Sequence, residues 1–370
     1  MGCGGELDLM SNVFLYLPKL KSIATPVIDF AERMNIYTLA LERTSPTPGS
    51  VFTLLTTTPI PKLATKKKFV WLTVSPIPLI RFWQARKRIV QSPGNKTLIS
   101  GNNHLALIAS LLLRLTIANL KIQTSIHAEL AAIQEDKSFK GRVKFWLMLK
   151  LIPRVDSLRL VTSRDVDKAS TLFKLPRSQI LVAPVPVLIS GELINKQKTE
   201  FPSLGFVGRI HEERGISEWT KIALAAKSKI PELKVKVIGD GPQRSYLEKA
   251  LSAISTSVKF YGFVPQAELI KLWPEISVLL VSAPKESYGM ATREALASGT
   301  LVLAKRNGAN EDLKSIAPEL VTLYDDEENA IKLLTEMLRR AFKPSQVNEF
   351  RKNFEVQQRD YLDLLAKSWL

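Results

Sequence analysis

Short apolar runs alternate with segments of helical period along most of this 370-residue chain, and the alternation predicts parallel sheets wound with helices. In the first half, 12–17 and 36–40 read as strands around a helix near 26–34. Strands at 96–100, 121–125, 157–162 and 180–183, with helices at 104–115 and 165–173, continue the pattern as one α/β domain. Residues 184–203 lack a period and hold Pro184, Pro186 and Pro202, as a domain linker does. A second doubly wound sheet follows, with strands at 203–207, 234–238, 258–261, 278–282 and 301–304 separated by helices at 216–227, 243–253, 266–273 and 290–297. The expected organisation is therefore a domain over 1–190, a second over 191–345, and a C-terminal helix over 346–370 that can cross back to the first.

Composition narrows the class. With 45% apolar and 24% charged residues the chain is ordinary globular material. Its single cysteine, Cys3, permits no intramolecular disulfide, so a reducing cytoplasm is the expected compartment. The strongest apolar stretch, 105–120, is broken by Arg114 and is too short to span a bilayer. Residues 1–10 carry Glu6 and Asp8 where a signal peptide wants positive charge, and Glu6 occupies the Ser/Thr position of a myristoylation signal, so no targeting segment is expected.

The net charge of +17 is lopsided: residues 1–200 hold 28 Lys/Arg against 13 Asp/Glu, and residues 201–370 hold 24 against 22. No acidic residue lies between Glu42 and Glu129. Such a surface suits nucleic acid, anionic lipid or a phosphorylated small molecule. Segments 80–90 and 139–150 interleave Phe82, Trp83, Phe145 and Trp146 with basic residues, in the manner of helices lying at a bilayer interface. The same pattern also fits amphipathic helices that pack their aromatics into the core, and the sequence leaves both readings open.

Ligands of such sheets sit beyond the carboxyl ends of the strands, where loops feed helix N-termini. Three loops there stand out. Gly205-Phe206-Val207-Gly208-Arg209 leads to Glu212-Glu213-Arg214-Gly215, placing two guanidinium groups, suited to phosphate, before a helix. Ile238-Gly239-Asp240-Gly241-Pro242 ends a strand, and by itself reads as a tight turn. In the third, Glu286 lies in a loop and Glu294 in the helix behind it, with Gly289 at the helix start able to let a ligand approach the backbone. Asp165-Val166-Asp167 mimics a metal-binding pair, but Ser163 reads as an N-cap with acids in the first helical turn.

Taken together, Gly208-Arg209, Arg214-Gly215, Gly239-Asp240-Gly241-Pro242, Phe260-Tyr261-Gly262-Phe263-Val264, and Glu286 with seven residues to Glu294 resemble the donor-binding domain of the family 4 glycosyltransferases. The resemblance is strong over 201–325 and weaker in the first domain, where Thr124-Ser125-Ile126-His127 and 180–187 carry it. It implies a GT-B fold, two Rossmann-like domains of doubly wound parallel sheet facing across a cleft that opens and closes about the linker. It also implies transfer of a sugar from a nucleotide-sugar donor, UDP- or GDP-linked, with retention at the anomeric carbon and neither metal nor other cofactor. By matching position, Arg209 and Arg214 hold the donor diphosphate and Glu294 the ribose. Glu286, Ser287 and the backbone of Tyr288, Gly289 and Met290 sit at the sugar. Gly208 belongs to the same donor site, and Gly262, Phe263 and Val264 line the base. His127 reaches the sugar from the first domain, although a histidine at a strand end is otherwise an ordinary core residue.

The expected partners are a lipid, lipid-linked or glycan acceptor and, through the basic first domain, the inner face of an anionic membrane, with no nucleic acid. Two departures from the family pattern stand out. Arg214 replaces the usual lysine, and Pro18-Lys19-Leu20-Lys21-Ser22 lacks the paired glycines of the first loop, for which only Gly4-Gly5 could substitute. Two other readings remain: a nucleotide-sugar epimerase or hydrolase on the same fold, and a protein that binds nucleic acid through its basic half.

Overall fold

The computed structural model describes residues 10–17, 27–46, 49–58, 69–189, 202–339 and 344–370. The Gly4-Gly5 and 18–22 segments and most of the expected linker lie outside the described residues. Contacts divide the chain into two units, one running to Pro186 and including Gln357–Leu370, the other Val187–Val356.

The first unit is a seven-stranded, all-parallel sheet in the order β3-β2-β1-β4-β5-β6-β7. Its strands are β1 (Ser11–Leu17), β2 (Val51–Thr56), β3 (Val70–Thr73), β4 (Asn95–Ile99), β5 (Leu120–Ile126), β6 (Ser157–Leu160) and β7 (Ile180–Val182). The helices are α1 (Val27–Thr44), α2 (Pro78–Gln91), α3 (His104–Arg114), α4 (Leu130–Glu135), α5 (Phe139–Leu151) and α6 (Val166–Phe173).

Here the sequence reading needs correction. Residues 36–40 are not a strand but the middle of α1, because Phe30, Ala31, Met34, Tyr37 and Leu41 recur at helical spacing and are all buried. In this unit the strands that were not foreseen are β2 and β3, and in the second unit the edge strand at Val321–Tyr324 was not foreseen either. β2 is buried along nearly its whole length, so it shows no alternation, and β3 has only four residues at the sheet edge.

The second unit repeats the plan with six parallel strands in the order β10-β9-β8-β11-β12-β13. In chain order it runs β8 (Ser203–Val207), α7 (Ile216–Lys229), β9 (Lys234–Ile238), α8 (Arg244–Ala250), β10 (Val258–Gly262), α9 (Gln266–Leu272) and β11 (Val278–Val281). It continues with α10 (Met290–Ala297), β12 (Leu301–Lys305), α11 (Gly308–Ile316), β13 (Val321–Tyr324), α12 (Glu327–Arg339) and the start of α13 (Pro344–Lys367). Its core is one continuous cluster in which Trp219, Trp273 and Tyr324 are fully buried. β8 and β11 are neighbours, yet the chain leaves β8 toward β9 on one side and β11 toward β12 on the other. The loops after these two strands therefore diverge, and this is where a doubly wound sheet opens a crevice.

Candidate functional site

That crevice collects the charged residues singled out above. The loop after β8 carries Gly208, Arg209 and, in a single 3₁₀ turn before α7, Arg214. The loop after β11 carries Glu286. Arg214 Nη1 donates to Glu286 Oε2 at 2.5 Å, joining the two loops through an ion pair. The Glu286 side chain is only 12% exposed, and its other oxygen accepts the Ser287 N–H at 3.1 Å. Arg214 Nε is buried without a hydrogen-bond partner, while the side chain as a whole is 39% exposed. Arg209, next to Gly208, is exposed.

Backbone interlocks fix these loops. Gly208 N–H donates to Ile238 O at 3.0 Å, Ile210 N–H to Asp240 O at 3.0 Å and Gly239 N–H to Gly262 O at 2.7 Å, so the ends of β8, β9 and β10 form a shelf. Gly239 has φ +132°, and a Cβ there would collide with Gly208 O, so only glycine fits. Gly215, at φ +66°, lies against the backbone of Ser282, whose hydroxyl donates to both Arg214 O (2.9 Å) and Gly215 O (3.0 Å). Ser282 was not foreseen. It holds the Arg214 turn to the end of β11, a task that a serine at a strand end does not advertise.

Gly289, at φ +73°, begins α10 with no side-chain cap, which leaves the positive end of that helix turned toward the second loop. Within α10, Glu294 and Arg293 are both 6% exposed, and the Arg293 guanidinium lies 3.7 Å from the centre of the Tyr288 ring. Arg293 was also missed, since a charged residue between two motif glutamates reads as surface. Phe263 is 58% exposed and Val264 packs on the core beside the Gly262 turn.

His127 belongs to the first unit, directly after β5. Its Nε2 is buried and unpartnered. Burial first, and the charge of Arg159 second, lower its pKa to about 3. Arg159 is itself buried on β6 and held by Ala183 O at 2.6 Å, Pro184 O at 2.7 Å and Tyr37 OH at 3.0 Å.

The folded-state pKa of His127 therefore lies below the ordinary imidazole value near 6.5, and protonation favours the unfolded chain. The stability this neutral histidine confers is complete above pH 6.5 and declines as the pH falls toward 3. The expected NMR result is one of the three histidine ring signals unmoved between pH 8 and 5, with acid unfolding beginning earlier than in His127→Gln. A His127 signal titrating near 6.5 would contradict it.

Asp165 and Asp167 do not pair on a ligand. Asp165 is buried and accepts the Leu130 N–H at 2.9 Å, while Asp167 is exposed and pairs with Arg177. The cap is Thr162, whose hydroxyl accepts the Arg164 N–H, and not Ser163. Among the described residues, no cluster of three or more His, Cys, Asp or Glu side chains has metal-binding geometry.

Two doubly wound units of parallel sheet are the components of the GT-B fold. Residues 192–348 match the family model described as glycosyl transferases group 1. The chain is 27% identical over 188 residues to the 2-deoxystreptamine N-acetyl-D-glucosaminyltransferase of Streptomyces fradiae, covering 47% of this chain and 45% of that protein. It spans less than half the length of the curated relatives it matches. Over nearly the whole chain the fold is similar to WaaG, a glycosyltransferase involved in lipopolysaccharide biosynthesis, with TM-score 0.67, 14% identity, and 96% of this chain and 98% of that one covered. It is likewise similar to Anabaena HepE in complex with UDP-glucose, with TM-score 0.66, 14% identity and 96% of each chain covered.

Proposed function

We propose that this protein is a retaining, metal-independent glycosyltransferase of the family 4 type that moves a sugar from a UDP- or GDP-sugar to a membrane-lipid, lipid-linked or growing-glycan acceptor. The observation that carries the reading is the Arg214–Glu286 ion pair at the switch point between β8 and β11, beside an uncapped helix N-terminus. In the reaction the bond between the anomeric carbon and the β-phosphate oxygen breaks with its electron pair going to that oxygen, a bond from the acceptor oxygen to that carbon forms, and the acceptor's proton passes to the departing diphosphate. Charge develops on the departing diphosphate, and Arg209 and Arg214 are the residues proposed to meet it. Two guanidinium groups supply there the charge that a divalent cation supplies in other transferases. Glu286 orients the sugar and Glu294 the ribose. The HepE complex supports a nucleotide-sugar as donor, and WaaG supports an acceptor in cell-surface glycan synthesis.

The test is a thermal shift in chelator-treated buffer against UDP-, GDP- and ADP-sugars, since a ligand that binds only the folded state raises the midpoint. One nucleotide is expected to raise it by several degrees, and Glu294→Ala to remove most of the rise. No shift with any of the three would overturn the donor assignment. An epimerase or hydrolase on this site would give the same shift but would consume the donor at full rate with no acceptor present.

A further inference from the structure

The sequence left open whether the aromatics of 80–90 and 139–150 are core or interface. The structure turns the two tryptophans outward: Trp83 on α2 is 55% exposed and Trp146 on α5 is 56% exposed. Only Ala85 and Ile89 of α2, and Gly141 and Met148 of α5, are buried. Between these helices lies α3, which packs against both. Leu79 on α2 (68%), Leu105 on α3 (63%), Leu115 just past it (82%) and Phe139 on α5 (83%) are also exposed. Of the seventeen large apolar side chains exposed among the described residues, eleven lie between 77 and 146. Isolated exposed leucines are normal, but such a concentration on three adjacent helices marks a contact surface.

Its charge identifies the partner. The three helices hold nine Lys/Arg and no Asp/Glu. Arg81 is engaged with Tyr16 OH and Arg114 with Asp156, while Lys87, Arg88, Lys140 and Arg142 are exposed. The Arg86 guanidinium sits 5.5 Å from the centre of the Trp83 ring, fixing cation and aromatic side by side. A second copy of the chain would set this cationic face against itself. Nucleic acid would satisfy the charges but would leave the leucines in water.

We propose that α2, α3 and α5 form one face that docks on an anionic bilayer, with Trp83, Trp146, Phe139 and the leucines entering the headgroup boundary and the basic side chains meeting lipid phosphates. This inference rests on the first unit alone and is independent of the donor-site reading, since flotation scores the face and the thermal shift scores the site.

The experiment is gradient flotation of the full chain with vesicles of phosphatidylcholine alone and with about a third phosphatidylglycerol. The protein is expected to float with the anionic vesicles and to stay below with the neutral ones. Lys87→Gln/Arg88→Gln/Arg142→Gln is expected to weaken partitioning on the order of a hundredfold, at roughly fivefold for each basic head near the surface. Trp83→Ser/Trp146→Ser is expected to abolish flotation at raised salt, where the charges are screened and insertion must carry the binding. All five side chains project into solvent, and an unchanged circular dichroism melt confirms that the variants fold. Equal recovery on both vesicle types, flotation indifferent to both variants, or failure to float alongside tight salt-sensitive duplex binding would each overturn the proposal.

Discussion

Glu286→Ala is expected to lower the transfer rate by about a thousandfold or more, at the upper end for loss of one preorganised electrostatic contact. In the resting protein the Glu286 carboxylate is already engaged through both oxygens. It takes an N–H from Arg214 through one oxygen and the Ser287 N–H through the other. Truncation therefore removes three things together: the group proposed to orient the sugar, the counter-charge of Arg214, and the bond that shapes the start of the loop toward Gly289. Glu286→Gln separates them. It keeps the volume and an oxygen for Ser287 N–H but loses the negative charge, so Arg214 is freed to bind diphosphate. Glu286→Gln should accordingly retain the donor-induced thermal shift while losing most of kcat, whereas Glu286→Ala should lose kcat with a changed KM. A Glu286→Ala protein that kept a tenth of wild-type turnover would reduce this residue to a structural partner of Arg214.

The second unit was legible because its constraints are local. Gly239 and Gly215 occupy positive φ against neighbouring backbone, so a side chain there is excluded whatever the rest of the chain does, and the requirement is readable from the glycines themselves. Glu286 and Glu294 flank the start of one short helix, so their spacing is also a local quantity. What the sequence could not reveal depends on tertiary contacts. Ser282 matters because β11 lies beside the turn holding Arg214, a neighbour relation set by strand order. Arg159 is buried on a strand, where propensity would place a β-branched residue, and it is tolerated only because Ala183, Pro184 and Tyr37 supply acceptors from elsewhere in the fold. The misreading of 36–40 has the same origin. A run such as Ile36-Tyr37-Thr38-Leu39-Ala40 has strand composition, and only the burial of Phe30, Met34, Tyr37 and Leu41 along one stripe makes it helix. Outward tryptophans on α2 and α5 follow from which helix side meets the sheet, which aromatic content alone does not determine.

Trp369→Ala is expected to destabilise the first unit by about 3–5 kcal/mol, the usual cost of deleting a large buried aromatic. Trp369 is the second-last residue of the chain, a position that ordinarily tolerates change. Here it is 2% exposed, with its ring 6.0 Å from that of Tyr37 on α1 and 5.6 Å from that of Phe52 on β2. Its Nε1 donates to Gln123 Oε1 at 2.9 Å, and its carbonyl accepts the Thr97 hydroxyl at 2.9 Å. Gln123, itself buried on β5, also reaches Ser157 and Ser368 at 3.0 Å each. The last turn of the chain thus connects α1, β2, β4, β5 and β6, and Leu362, Leu365 and Ala366 extend the same cluster. Removing the indole empties a large volume and strips Gln123 of a partner in the interior, a loss worth about 1–3 kcal/mol on its own. Trp369→Phe refills most of the volume without restoring the N–H, so it should cost only that smaller part. In a calorimetric scan, Trp369→Ala should lower the melting of the first unit by roughly 10 °C, given 2–4 °C for each kcal/mol in a domain of this size. Because the proposed donor residues lie in the other unit, the nucleotide-induced shift of the second transition should persist. A change under about 1 kcal/mol in Trp369→Ala would mean that the C-terminal turn rests on the sheet without helping to hold it, and α1 and β5 would then owe their packing to the sheet alone.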